Sequence, residues 1–242
     1  MDLIGGGSDH EVYIGNSIVE PLPREVDCII TDPPYSERTH EKSDPAALAG
    51  PNSKNWTRGN GRVDTPCSRR ALDYACWSPS DVHRAVTSWS CKGWWVVITD
   101  HLLAPIWAAE LEAKGLYSFA PLPFVSPGSR VRLAGDGPSS WVCWIIVARP
   151  RCAPYSKWGT LPGAYTFNPE RMTLVGGKPL SLMKALITDY SRPGDLVCDP
   201  CCGAGTTGRA AMDCGRRSLQ IDMNPDHAAM AARRLSQQVL IT

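Results

Sequence analysis

Two short stretches of the 242-residue sequence hold residues whose types and spacing could do chemistry. In the first, an apolar run from Val26 to Thr31 ends in Asp32-Pro33-Pro34-Tyr35. A carboxylate beside a carbonyl that two prolines hold still makes a pair of preorganised acceptors. Acceptors placed around an exocyclic NH₂ group draw its hydrogens out of the ring plane and localise the nitrogen lone pair. That lone pair is what the nitrogen needs to attack an electrophilic carbon. Tyr35 adds a flat face on which an extruded base can stack. The bland alternative is a turn that closes a strand.

The second stretch follows the apolar run Leu196 to Cys198. Asp199-Pro200 ends it and Gly203-Ala204-Gly205-Thr206-Thr207-Gly208 follows, a G-x-G-x-x-G between a predicted strand and a predicted helix. Asp222 ends the next predicted strand. Glycines permit a tight turn and close approach of backbone to a ligand, and an acid so placed hydrogen-bonds ribose hydroxyls. A bare strand-to-helix turn or a dinucleotide site would share this pattern. Asp199, directly before the turn, would repel a pyrophosphate. It would favour the ammonium and sulfonium of S-adenosylmethionine (SAM).

Both stretches need a sheet to position them. Val12 to Ile14 reads as a short strand closed by Gly15-Asn16. Val26 to Thr31, Trp94 to Thr99 and Trp141 to Ala148 are near-continuous apolar runs, as in strands buried on both faces. Leu116 to Val125 is a weaker strand broken by prolines. Leu196 to Cys198 and Ser218 to Ile221 complete the set. Helical spacing covers Pro79 to about Ser90 (capped by Ser78 or Ser80), Leu102 to Lys114, Pro179 to Tyr190, Thr206 to Asp213, and Pro225 to about Gln238, with Asn224 as the last cap. Strands alternating with helices predict a three-layer, Rossmann-like α/β fold with a mostly parallel sheet, in one domain spanning 1–242. Residues 36–80, 126–140 and 149–178 read as loops, and the first is long enough to be functional.

Composition excludes more than it assigns. The hydrophobic fraction is 43% and the charged fraction 20%, which suits a globular core. A net charge of +1 does not by itself announce nucleic acid. No apolar stretch is long enough to span a membrane, and MDLIGGGSDH lacks the pattern of a secretory signal. Ten cysteines fall in no disulfide framework. Cys198, Cys201 and Cys202 lack a second pair at ligand spacing, so reduced buried thiols and no metal are expected.

At this point the sequence resembles the amino-group DNA methyltransferases, which modify adenine N6 or cytosine N4. DLVCDPCCGAGTTGRAA looks like the family's SAM loop, D-P-F-x-G-x-G-T-T, and Asp32-Pro33-Pro34-Tyr35 looks like its catalytic [DNS]-P-P-[YFW]. Lys178-Pro179-Leu180 resembles the K-P-L that opens a neighbouring helix. The catalytic motif comes first and the SAM loop last, as in the β arrangement and in many phage-encoded enzymes. The resemblance implies that Asp32, Pro33, Pro34 and Tyr35 are catalytic. It implies a SAM site built from Asn16, Asp32, Lys178, Asp199, Cys201, Gly203, Gly205, Thr206, Thr207 and Asp222, with the methionine end at Asp199 to Thr206, ribose at Asp222 and adenine near Asn16. Asp rather than Ser before Pro-Pro-Tyr favours adenine N6 as acceptor, with cytosine N4 as the alternative. The chain departs from the pattern at Leu174-Val175-Gly176-Gly177, where relatives often carry His-Pro-Thr-Gln. That departure keeps a SAM- or DNA-binding protein without catalysis as a rival; an RNA methyltransferase is a third alternative.

Charge distribution supports double-stranded DNA as partner. Residues 36–80 hold seven Lys and Arg, among them Arg38, Lys54 and Arg58, interleaved with Trp56, Tyr74 and Trp77. Residues 126–160 hold Arg130, Arg132, Arg149, Arg151 and Lys157 against the single acid Asp136. Basic, aromatic loops suit phosphate contacts and base extrusion, although a solvated loop has the same composition. The segment at about 149–178, where the family places target recognition, is short. A short recognition site or help from a second subunit, as in a homodimer, is expected. The resemblance implies the cytoplasm of a bacterium or of a phage-infected cell.

Overall fold

The computed structural model describes residues 1–41, 74–129, 138–151, 158–170, 174 and 176–236. Ten strands form one sheet in the order β1-β2-β10-β9-β3-β4-β7-β6-β8, with β5 also paired to β7. They are β1 (Asp2–Gly7), β2 (His10–Ile14), β3 (Val26–Thr31), β4 (Cys91–Thr99), β5 (Tyr117–Ser118), β6 (Leu122–Val125), β7 (Val142–Arg149), β8 (Tyr165–Thr166), β9 (Leu196–Asp199) and β10 (Arg217–Asp222). The helices are α1 (Glu37–Glu41), α2 (Pro79–Ser88), α3 (Ala104–Ala113), α4 (Leu180–Tyr190), α5 (Thr206–Asp213) and α6 (Pro225–Ser236).

The central strands β2, β10, β9, β3 and β4 run parallel. Their apolar runs have no polar face because helices cover both sides. Ile29, Trp95, Val97 and Cys198 point to the layer of α2 and α3, where they meet Val82, Ala85, Trp107 and Leu111. Their neighbours Cys28, Ile30, Val96, Ile98 and Val197 point to α4 and α5, against Leu182, Leu186, Ile187 and Ala210. On that second face, α6 closes over β2 with Ala228, Ala231 and Leu235. The three layers are those predicted.

The flanks are antiparallel: β1 against β2, and β7 against β4, β5 and β6. The structure differs from the expected elements in four places. The stretch 116–125 splits into β5 and β6 around Pro121, because a proline has no N–H for a ladder. Residues 36–80 open with the short α1. Within 149–178, Tyr165 and Thr166 pair with β6. The edge strand β1 had no sequence signal, since DLIGGG has neither alternation nor a buried face.

Candidate active site

Each of the five parallel strands ends in a polar group on the same edge of the sheet. Across the sheet these are Asn16 after β2, Asp222 ending β10, Asp199 ending β9, Asp32 after β3 and Asp100 after β4. The chain leaves β9 toward β10 on one side and β3 toward β4 on the other. The strand order therefore reverses between β9 and β3, and in open α/β sheets such a switch point leaves a crevice for ligands. One cleft runs along this edge, lined among others by Asn16, Asp222, Gly203, Asp199, Asp32 and Lys178. The cleft is open to solvent, as a site that must admit a ligand has to be.

Asp199 braces the crevice. It is only 2% exposed, and it accepts from the Thr31 hydroxyl at 2.6 Å, the Thr207 hydroxyl at 2.5 Å and the Cys201 amide at 3.1 Å. It thereby joins the end of β3, the glycine turn and the first turn of α5. Burial pushes its carboxyl up to about 6, against the pull of those three donors.

Three amides at the glycine turn bond within the protein. Gly203 N–H donates to Asp222 Oδ2 at 2.8 Å, Cys202 N–H to the Ile221 carbonyl at 2.9 Å and Gly205 N–H to the Cys202 carbonyl at 2.9 Å. With the Cys201 amide on Asp199, these donors do not make the anion nest that a pyrophosphate requires. Carboxylates line the cleft instead, so it favours a cation. Asp222 also accepts from the Asn224 amide at 2.9 Å and lies 3.6 Å from His227 Nδ1. Arg234 of α6 donates to the Thr206 hydroxyl at 3.0 Å from behind the turn. The Cys201 thiol, where the resembling pattern has phenylalanine, lines the cleft and is held neutral by burial, which raises it well above its usual range. Asn16 lines the cleft with its side-chain oxygen on the Ile18 amide, 3.3 Å away.

At the other end, both oxygens of Asp32 have partners. Tyr35 Oη donates to Oδ1 at 3.0 Å, and Lys178 Nζ sits 2.5 Å from Oδ2. The Lys178 ammonium lies 4.9 Å from the centre of the Tyr35 ring, a cation–π arrangement. Tyr35 is 7% exposed, with Lys178 against the ring on which a base is expected to stack. Lys178, expected at the cofactor, lines the cleft and also reaches the catalytic corner. Pro33 is buried and Pro34 lines the cleft.

The expected DNA contacts divide. Arg38 is exposed on α1, three residues past Tyr35. Lys54, Arg58, Arg130, Arg132 and Lys157 lie outside the described residues, as do Trp56 and Val175. Arg151 is not brought to the site. It follows β7, whose end pairs Ala148 with Trp95 and Arg149 with Tyr117, toward the edge where the parallel strands begin. There both arginines lie on the Tyr117 ring, at 5.3 and 5.6 Å. Trp77 and Tyr74, expected to face DNA, line the cleft, and Trp77 also stacks on Trp107 at 6.1 Å. In the short segment at 149–178, Trp158 packs edge-on against Trp94 and Tyr165 Oη donates to Asp189 at 2.7 Å. These aromatics serve the fold.

Sequence reasoning missed Thr31, His227 and Asp100. The signal for Asp100 was present. It ends Trp94-Trp95-Val96-Val97-Ile98-Thr99 as Asp32 ends Val26 to Thr31, an aspartate directly after a buried strand.

Comparison with known proteins agrees with this geometry. A DNA methylase family profile matches residues 140–233. The DNA adenine methyltransferase YhdJ of Escherichia coli is 43% identical over 58 residues, 24% of this chain and 20% of that protein. This chain thus spans about a fifth of that relative's length. Among solved structures, the M1.HpyAVI–SAM complex aligns with a TM-score of 0.60 at 19% identity, covering 88% of this chain and 90% of the other. The cytosine-N4-specific PvuII DNA methyltransferase aligns at 0.59 and 15% identity, over 98% and 89%. The chain is therefore similar to the amino-group DNA methyltransferases, by residue pattern over 140–233 and by fold over nearly its whole length.

Proposed function

We propose that the protein transfers a methyl group from SAM to the N6 nitrogen of an adenine extruded from double-stranded DNA. One observation carries the reading: a single cleft runs from Asp222 and the glycine turn, past Asp199, to Asp32. A cation-favouring nucleoside pocket thus opens onto a pair of amine acceptors. The match to DNA methylases and the SAM held by M1.HpyAVI support it.

When bound, SAM would supply a methyl carbon made electrophilic by its sulfonium, with the thioether as leaving group. The chain's part is to bind, orient and accept. Asp222 holds Gly203 and faces the ribose, while Asp199 and the neighbouring carboxylates favour the cationic end. Asp32 accepts one hydrogen of the adenine amino group and the Pro33 carbonyl the other, which frees the nitrogen lone pair. For the base to enter, Lys178 gives up Asp32 Oδ2 and lifts from Tyr35, whose ring then stacks on the base. After methyl transfer the nitrogen sheds its extra proton to water or through Asp32.

Cytosine N4 is the second reading, because both chemistries need the same acceptors and a cytosine-N4 enzyme shares the fold. The test is methyl transfer from labelled SAM to unmethylated DNA, with nucleoside mass spectrometry. N6-methyladenine is expected, and N4-methylcytosine would reverse the choice of base. No transfer to DNA while SAM still binds would leave a binding protein. In the same assay Asp32→Ala is expected to abolish transfer while SAM affinity stays within about five-fold, since the variant removes an acceptor used mainly in the transition state.

A further inference from the structure

We infer that Asp100 is a positioning residue for methyl transfer, one that fixes the catalytic corner by holding the two hydroxyl residues directly behind it. This rests on the reading of Asp32 to Tyr35 given above.

Asp100 is 6% exposed at the end of β4. Its two oxygens have separate work. Oδ1 accepts from the amides of Leu102 and Leu103 at 3.1 and 3.0 Å, which shapes the entry to α3. Oδ2 accepts from the Ser36 amide at 3.0 Å, from the Thr39 hydroxyl at 2.6 Å and from the Ser36 hydroxyl. Burial pushes the Asp100 carboxyl up, but the hydrogen bonds from Ser36, Thr39 and Leu103 outweigh it and hold it below its usual range.

Oδ1 alone would suffice for α3. Oδ2 gathers three donors from the residues that leave the catalytic corner, and Ser36 is bonded to Tyr35 in the chain. The other side of the corner is fixed independently, through Thr31 on Asp199. The Tyr35 carbonyl also accepts from the Trp77 amide at 3.0 Å. Asp32 to Tyr35 is thus suspended between two buried carboxylates on neighbouring strand ends. Releasing one leaves the chemistry present but looser. A misplacement of about 1 Å costs on the order of a hundred-fold in rate when reacting atoms must be aligned.

The discriminating variant is Ser36→Ala with Thr39→Val, which removes two donors to Oδ2 and leaves Asp100 on α3. Single-turnover methylation at saturating DNA is expected to slow roughly ten- to a hundred-fold. The Kd for SAM should stay near the wild-type value, while the melting temperature falls by several degrees for the two lost hydrogen bonds. Ser36→Thr with Thr39→Ser keeps both hydroxyls and should recover most of the rate. Should the first pair fail to fold, Thr39→Val alone carries the test, with a smaller slowing expected. An unchanged rate overturns the inference. So does a slowing matched by an equal loss of SAM affinity, which would make Asp100 a general brace. Failure of the wild-type protein to methylate any DNA would instead overturn the proposed function.

Discussion

The carboxyl of Asp199 has opposite preferences with and without a cation beside it. Burial raises it from 3.8 to about 6, against the pull of Thr207, Thr31 and the Cys201 amide. Its folded value therefore lies above its unfolded one. The stability it contributes is fully present below 3.8 and is lost as pH rises through about 6, because the folded state then holds a buried charge. A cationic ligand favours that charge. SAM affinity is expected to rise with pH up to about 6 and then level off, with a slope approaching ten-fold per unit below it. Equilibrium binding between pH 5 and 8 measures this, and Asp199→Asn should flatten the acidic limb. A flat wild-type curve would mean that Asp199 does not sense the ligand. The same residue shows what sequence could reveal. Asp32, Asp199 and Asp222 stood out because motifs surround them. Asp100 occupies the equivalent strand end without a motif, and its partners Ser36 and Thr39 lie 64 and 61 residues away in the chain. A hydrogen bond across that separation has no local pattern.

Elements were legible where one force dominated. β3, β4 and β9 are buried on both faces, so their apolar runs matched the structure to within a few residues. β1 is an exposed, glycine-rich edge held by pairing with β2 and by contact with α6, and tertiary context of that kind leaves no periodicity behind. The glycine turn lies between these cases. Its pattern was visible, but its tolerance depends on α6, more than twenty residues later. Gly205 has φ 72°, and a Cβ there would stand 2.8 Å from Ala231 Cβ and 3.0 Å from its Cα. Gly205→Ala combines left-handed strain with overpacking, about 2–4 kcal/mol in all, and should weaken SAM binding as the turn shifts. Gly215 has φ 71° with nothing within 4 Å of its Cβ position. Gly215→Ala should cost only the strain, about 1 kcal/mol. Urea denaturation of the two variants separates these contributions. Equal losses would mean that α6 yields to the added methyl.

The parallel strands of the sheet have two ends, and charge on each is expected to act differently. The carboxyl edge carries the cleft, the catalytic corner and Arg38 on α1. The opposite edge carries Arg149 and Arg151, which linear sequence places in the same basic stretch as residues 126–160. Proximity in sequence misled because β7 is antiparallel to β4, so the chain enters β7 near the cleft and leaves it on the far side. A duplex seated over the Asp32 corner cannot reach a phosphate from that far edge without wrapping the domain. Each phosphate contact adds about 0.9 to the dependence of log K on log salt concentration. Arg149→Ser with Arg151→Ser should leave that slope unchanged and cost the cation–π contacts, about 0.5–1 kcal/mol each in stability at exposed sites. Arg38→Ser should lower the slope by about 1 and weaken binding to all sequences alike. Fluorescence anisotropy of a labelled duplex between 50 and 200 mM salt reads both. A slope that fell with the Arg149 and Arg151 pair, but not with Arg38, would put the DNA on the far edge and separate it from the catalytic corner. No extruded base could then reach Asp32 within one protomer, and a second copy would have to present the DNA to the site.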